Sequence, residues 1–161
     1  MKKLIFVRHG RAEELMPGLT DFERSLTSKG KVISLDMALK MKKIEKDPGL
    51  IITSPAFRAL ETALIFASAF GVKHDKIVLD SGLYDRAGLR HLMDILEKTG
   101  NDTDKITLFG HNPAFTEMPD RLSREGCEFL TKTSIVCLSF QTDKWSEVKP
   151  DSGKVEYFLK P

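Results

Sequence analysis

The stretch Leu4-Ile5-Phe6-Val7-Arg8-His9-Gly10 decides the fold. Four apolar residues run without a polar break, and charge follows at once. A short continuous apolar run predicts a strand buried on both faces, as in a parallel sheet covered by helices. In an open α/β sheet, ligands bind beyond the carboxyl ends of the strands. The run therefore delivers Arg8, His9 and Gly10 to the place where such a fold does its chemistry.

Outward from this stretch the pattern repeats. Lys29 to Lys46 predicts a helix, with Val32, Leu35 and Leu39 on one side and Ile33, Met37, Met41 and Ile44 beside them. Its lysines at 40, 42, 43 and 46 read as a solvated face. Asp47-Pro48-Gly49 breaks the helix, and Leu50 to Thr53 is a second strand. Ser54-Pro55 reads as a capping hydroxyl and a first-position proline, opening a helix whose alanines at 56, 59, 63 and 67 suit close packing on a sheet. Ile77 to Leu79 predicts a third strand, Leu89 to Lys98 a helix ended by Gly100, and Ile106 to Phe109 a fourth strand. Asn112-Pro113 repeats the cap-then-proline arrangement, while Pro119 should kink or end that helix early. Ser134 to Phe140 and Val155 to Leu159 read as two last strands, expected to pair as an antiparallel hairpin. The alternation predicts an α/β fold: a three-layer sandwich with a mostly parallel central sheet and helices on both faces.

Composition sets the outer limits. At 161 residues, 41% hydrophobic and 30% charged, the chain suits one domain spanning 1–161. A net charge of +2 gives no strong field favouring nucleic acid or membrane. Cys127 and Cys137 lack CxxC spacing, so two reduced, partly buried thiols are expected. The amino-terminal apolar run is too short for a signal peptide, and no stretch approaches transmembrane length. A cytoplasmic location is the expectation.

Three strand ends carry notable residues. The first leads into Arg8-His9-Gly10, the second through Ser54-Pro55 to Arg58, and the fourth into Gly110-His111-Asn112-Pro113. If these strands are neighbours, two arginines and two histidines converge on one pocket. That set suits phosphoryl transfer, in which negative charge spreads over three oxygens and positioned cations supply much of the stabilisation. Arginine forks bind such oxygens in pairs, and a neutral imidazole can attack phosphorus through one ring nitrogen. Gly10 would let the backbone approach the phosphate. Each residue alone has a blander reading: a histidine at a strand end is more often structural, and a helix arginine is usually a surface residue. A metal site is disfavoured, because no carboxylate or third histidine sits at ligand spacing beside either histidine. His74 and His91 read as surface residues.

Together these elements resemble the histidine phosphatase superfamily of phosphoglycerate mutases and acid phosphatases. The matching residues are Arg8-His9-Gly10, Ser54-Pro55 with Arg58 and Glu61-Thr62, and Gly110-His111-Asn112-Pro113. Arg24-Ser25-Leu26-Thr27 with Gly30, and Leu83-Tyr84, are similar to the small SixA-type phosphohistidine phosphatases. The resemblance runs from Leu4 to about Phe140 and implies a phosphoglycerate mutase-like fold. It implies that His9 is the nucleophile, forming a phosphohistidine intermediate. Arg8, Arg58 and His111 would serve catalysis by binding the phosphoryl oxygens, with Gly10 and Asn112 also at the substrate. No metal or organic cofactor is implied.

One departure bears on the substrate. Many relatives that cleave phosphate esters carry a glutamate proton donor in the region corresponding to Ser81–Gly88, and this chain has none there. Tyr84, Asp85 or water would have to serve, and Tyr84 could equally pack beneath the site. An alkoxide leaving group needs a donor, whereas an imidazole with a pKa of ~6.5 picks up a proton readily. The reading expected is hydrolysis of phosphohistidine on a protein partner. The alternatives are a phosphomonoesterase for a small phosphorylated metabolite and, from another class, a non-catalytic phosphate-binding protein.

Overall fold

The apolar run lies at the heart of the sheet as β1 (Lys2–Arg8). The structure is a computed structural model and describes residues 1–161. The other strands are β2 (Leu50–Thr53), β3 (Val78–Leu79), β4 (Lys105–Gly110), β5 (Ile135–Phe140) and β6 (Lys154–Leu159), in the spatial order β3-β2-β4-β1-β5-β6. The pairs β2–β3, β2–β4 and β1–β4 are parallel, and β5 runs antiparallel to both β1 and β6. The α/β expectation of a mostly parallel sheet holds, with an antiparallel hairpin at one edge.

The helices are α1 (Ser28–Ile44), α2 (Phe57–Phe70), a single turn α3 (Gly82–Asp85), α4 (Leu89–Lys98) and α5 (Ala114–Leu122). Side chains of β1 alternate between the two sheet faces. Ile5 and Val7 pack with Met37 of α1 and Ala63 and Phe66 of α2. Leu4 and Phe6 pack with Leu92 of α4, Phe115 of α5 and Trp145. Two cores therefore need a run without polar interruption, and burying each large apolar side chain contributes roughly 1.5–3 kcal/mol. No helix is long and apolar enough to cross a membrane.

The strand is also pinned at its start. Lys2 is fully buried, and its ammonium donates to the carbonyls of Asn101 (2.6 Å) and Thr103 (2.9 Å) and to Asp104 Oδ1 (2.8 Å). All three donors are used, which makes the burial of a charge tolerable.

Several local expectations are corrected. In α1 the buried residues are Gly30, Ser34, Met37, Ala38 and Met41, while Val32, Leu35, Leu39 and Ile44 face solvent. Small residues let the helix approach the site loop, so its packing face is not its most apolar one. Helix α2 starts at Phe57, and Ser54 lies before it in a turn, accepting from the Ala56 N–H at 3.3 Å. Asn112 does not cap α5 through a backbone N–H. Its side chain instead joins Leu130 and Thr116. Helix α5 continues through Pro119 to Leu122, one turn beyond the residue expected to end it. His74 is exposed, but His91 is not a surface residue: its Nε2 lies 2.7 Å from Asp80 Oδ1 and its side chain is 10% exposed. Cys127 and Cys137 are both free thiols.

Gly30 locks α1 to the strand end. A Cβ there would meet the Arg11 carbonyl oxygen at 2.1 Å. Gly30→Ala is therefore expected to lower stability by about 1–3 kcal/mol through overpacking. The readout is the urea unfolding midpoint, and an unchanged midpoint would show that this contact constrains nothing.

Candidate active site

Strand register builds the site. In the β1–β4 pair Arg8 stands opposite Gly110, and in the β2–β4 pair Thr53 stands opposite Phe109. The next residue of each strand is His9, His111 or Ser54, so all three arrive together at one sheet edge. Sheet hydrogen bonding continues there: His9 N–H donates to Gly110 O at 3.0 Å and Ser54 N–H to Phe109 O at 3.0 Å. The His9 and His111 rings lie 5.1 Å apart between centroids, close to the spacing of adjacent strands.

The tautomer of His9 is fixed. Its Nδ1 lies 2.7 Å from the Gly10 carbonyl oxygen, which can only accept, so Nδ1 holds the proton and Nε2 keeps its lone pair. Burial, with the positive charges of His111, Arg58 and Arg8 added, pushes its pKa down to about 3 against the opposing Gly10 bond. His9 is thus a neutral imidazole at physiological pH, with the nucleophilic nitrogen free.

His111 is positioned by Ser54. The Ser54 hydroxyl accepts from the Ala56 N–H and lies 2.8 Å from His111 Nε2. The other ring nitrogen, Nδ1, is buried without a partner. Burial, then the charges of Arg58 and Arg8, lowers its pKa to about 4, with Asp21 opposing. An arriving phosphoryl dianion would favour the protonated form.

Arg58 is held by a residue that sequence reasoning missed. Its guanidinium donates to the Asp21 carbonyl (2.6 Å) and to Asp21 Oδ2 (2.9 Å). Arg24 and the Tyr84 hydroxyl donate to the same carboxylate at 2.9 and 3.0 Å. Burial raises the Asp21 pKa, but these hydrogen bonds outweigh it and hold it at about 2. No local pattern marks Asp21, because its partners Arg58 and Tyr84 lie far along the chain. The sequence reads Ser54 as a helix cap, whereas its hydroxyl lies at His111, 57 positions along the chain.

The remaining predicted residues divide. Arg8 donates to Leu130 O at 3.0 Å and leaves its buried Nε unpartnered, as Arg58 does. Arg8 and Arg58 thus hold one unsatisfied buried donor each and His111 one unpartnered ring nitrogen, and such a buried polar group costs about 1–3 kcal/mol. Gly10 is consumed by the fold. Its N–H donates to Thr62 Oγ1 at 3.0 Å, its carbonyl holds His9, and an added Cβ would meet Ser34 Oγ at 2.6 Å. Asn112 ties the loop to Leu130 O at 2.9 Å. Tyr84 packs its ring 5.6 Å from that of His111, while Asp85 is exposed. No cluster of three His, Cys, Asp or Glu side chains has the arrangement to hold a metal ion.

No protein-family model matches the chain. An uncharacterized protein of Picosynechococcus sp. is 31% identical over 122 residues, covering 75% of this chain and 73% of its own. Among solved structures, one from Agrobacterium tumefaciens ascribed to the SixA phosphohistidine phosphatases superposes with a TM-score of 0.79, at 21% identity over 99% of both chains. The protein histidine phosphatase SixA complexed with tungstate gives 0.74, at 19% identity over 98% of this chain and 96% of the other. Mycobacterial glucosyl-3-phosphoglycerate phosphatase with inorganic phosphate gives 0.69, at 15% identity over 98% and 96%. The chain belongs to one family with the Picosynechococcus protein, and its fold is that of the histidine phosphatase superfamily.

Proposed function

We propose that residues 1–161 form a single phosphatase domain in which His9 accepts a phosphoryl group from phosphohistidine on a protein partner and passes it to water. The supporting observation is the state of His9: neutral, with its proton held on Nδ1 by Gly10 and its Nε2 free. Unpartnered donors on Arg8 and Arg58, with the unpartnered Nδ1 of His111 that becomes a donor on protonation, supply what a phosphoryl group needs on its oxygens. His9 Nε2 attacks phosphorus, the bond from phosphorus to the substrate imidazole breaks, and that imidazole takes a proton from water. Water then attacks the phosphorylated His9, releasing inorganic phosphate and returning the neutral imidazole. The chain's own residues supply this chemistry without a cofactor.

The proton donors at hand support this substrate class. Asp21 holds no proton near neutrality, and Tyr84 engages its hydroxyl proton with Asp21, with burial and that bond raising its pKa. No carboxylic acid donor thus stands ready for an alkoxide. An imidazole leaving group needs no such donor, and this favours phosphohistidine. A small phosphate ester remains the competing substrate, since glucosyl-3-phosphoglycerate phosphatase shares the fold.

Brief incubation with a labelled phosphohistidine protein should give an acid-labile adduct on His9 in the wild type and none in His9→Ala. Turnover should vanish in that variant while phosphate still binds, and undiminished turnover would refute the mechanism. Arg58→Ala should lower kcat/KM by about 10²-fold or more and weaken phosphate binding with it. If small esters are hydrolysed and phosphohistidine is not, the substrate assignment fails.

Protonation also sets acid stability. His9 and His111 titrate near 3 and 4 when folded against ~6.5 when unfolded, so the unfolded chain binds more protons between these limits. Stability present above about pH 6.5 should decline as pH falls toward 4. His9→Gln should flatten that decline in unfolding midpoints measured against pH, and an identical slope would show that the buried imidazole does not drive it.

A further inference from the structure

A cavity of about 450 Å³ opens beside the phosphoryl site. Arg8 belongs to both. Around the cavity stand Arg11, Lys29 and Lys132, with Phe129, Thr131 and Pro161; no aspartate or glutamate side chain lines it, and the carboxylate of Pro161 pairs with none of the three cations. None of these three cations forms an ion pair, unlike Lys3, Lys105 and Arg58, whose charges are met by carboxylates.

The backbone that carries the cations is tied to the end of β1. Lys132 sits in a loop whose next residue, Thr133, donates its N–H to Arg8 O at 3.0 Å. Lys29 lies in the first turn of α1, and the capping Thr27 donates its N–H to Arg11 O at 3.0 Å. Phe129 lies with its ring 5.8 Å from the Arg8 guanidinium. Like charges gathered in excess of any paired counter-charge repel one another, and a bound anion relieves that repulsion.

We propose that this cavity receives carboxylate side chains of the phosphorylated protein partner, next to the phosphohistidine that enters at His9. The inference rests on the phosphohistidine reading above. A protein surface is favoured over a metabolite by the apolar rings beside the charges. Phe129 is 61% exposed at the cavity, and Phe57 is 41% exposed where it packs on Phe22, which in turn meets Tyr84. Exposed aromatic side chains beside a charged rim suit a protein interface. Complementary charge across such a rim acts on encounter and specificity.

The test uses two phosphohistidine peptides of one length, one with aspartates and glutamates flanking the phosphorylated residue and one with serines in their place. p-Nitrophenyl phosphate reports that each enzyme preparation is active. The wild type should favour the acidic peptide by about tenfold in kcat/KM, and this preference should shrink as salt is added. In Lys29→Gln/Lys132→Gln the ratio should fall toward unity. These lysines are exposed, so the fold does not depend on them. Equal turnover of both peptides by the wild type, or an unchanged ratio in the double variant, overturns the proposal. Turnover of p-nitrophenyl phosphate with neither peptide hydrolysed is a different result: it removes the phosphohistidine reading and this inference with it.

Discussion

The parallel register between β1 and β4 is the constraint on which the rest depends. It places Arg8 opposite Gly110, and so sets the two histidines one residue further on against each other. A slip of one residue would turn every β1 side chain to the other face. That slip is opposed at both ends. Leu4 and Phe6 fill one core and Ile5 and Val7 the other, while the buried ammonium of Lys2 holds three acceptors at the start of the strand. The same interactions that stabilise the sheet thus determine the distance between the two imidazoles.

What was legible in the sequence followed from this geometry. Strands buried on both faces must be continuous apolar runs, so β1, β2, β4 and β5 stood out, and the residues just beyond three of them marked the site. The packing face of α1 was not legible, because Gly30, Ser34 and Ala38 pack by being small and their hydropathy carries no signal. The burial of Lys2 has no local sign in the sequence, because its carbonyl partners lie about a hundred positions away. Asp21 was hidden for the same reason. Its role comes from contacts with Arg58 and Tyr84, 37 and 63 positions along the chain, and no local spacing encodes them. Ser54 was visible as a residue but misassigned, since capping and supporting His111 look alike until the helix start is placed at Phe57.

Asp21 bears on the turnover proposed for this site. A pocket made only of guanidinium and imidazole groups would hold inorganic phosphate as firmly as it holds the phosphorylated substrate, because both present the same oxygens. The carboxylate on Arg58 is a resident counter-ion that keeps part of that arginine's charge engaged within the protein. In the reaction proposed above, an incoming phosphoryl group would compete with it, and a departing phosphate would be replaced by it. The loop carrying Asp21 would thereby bring the empty and occupied pockets closer in energy, which is the condition for a site that lets go of its product as readily as it takes up its substrate.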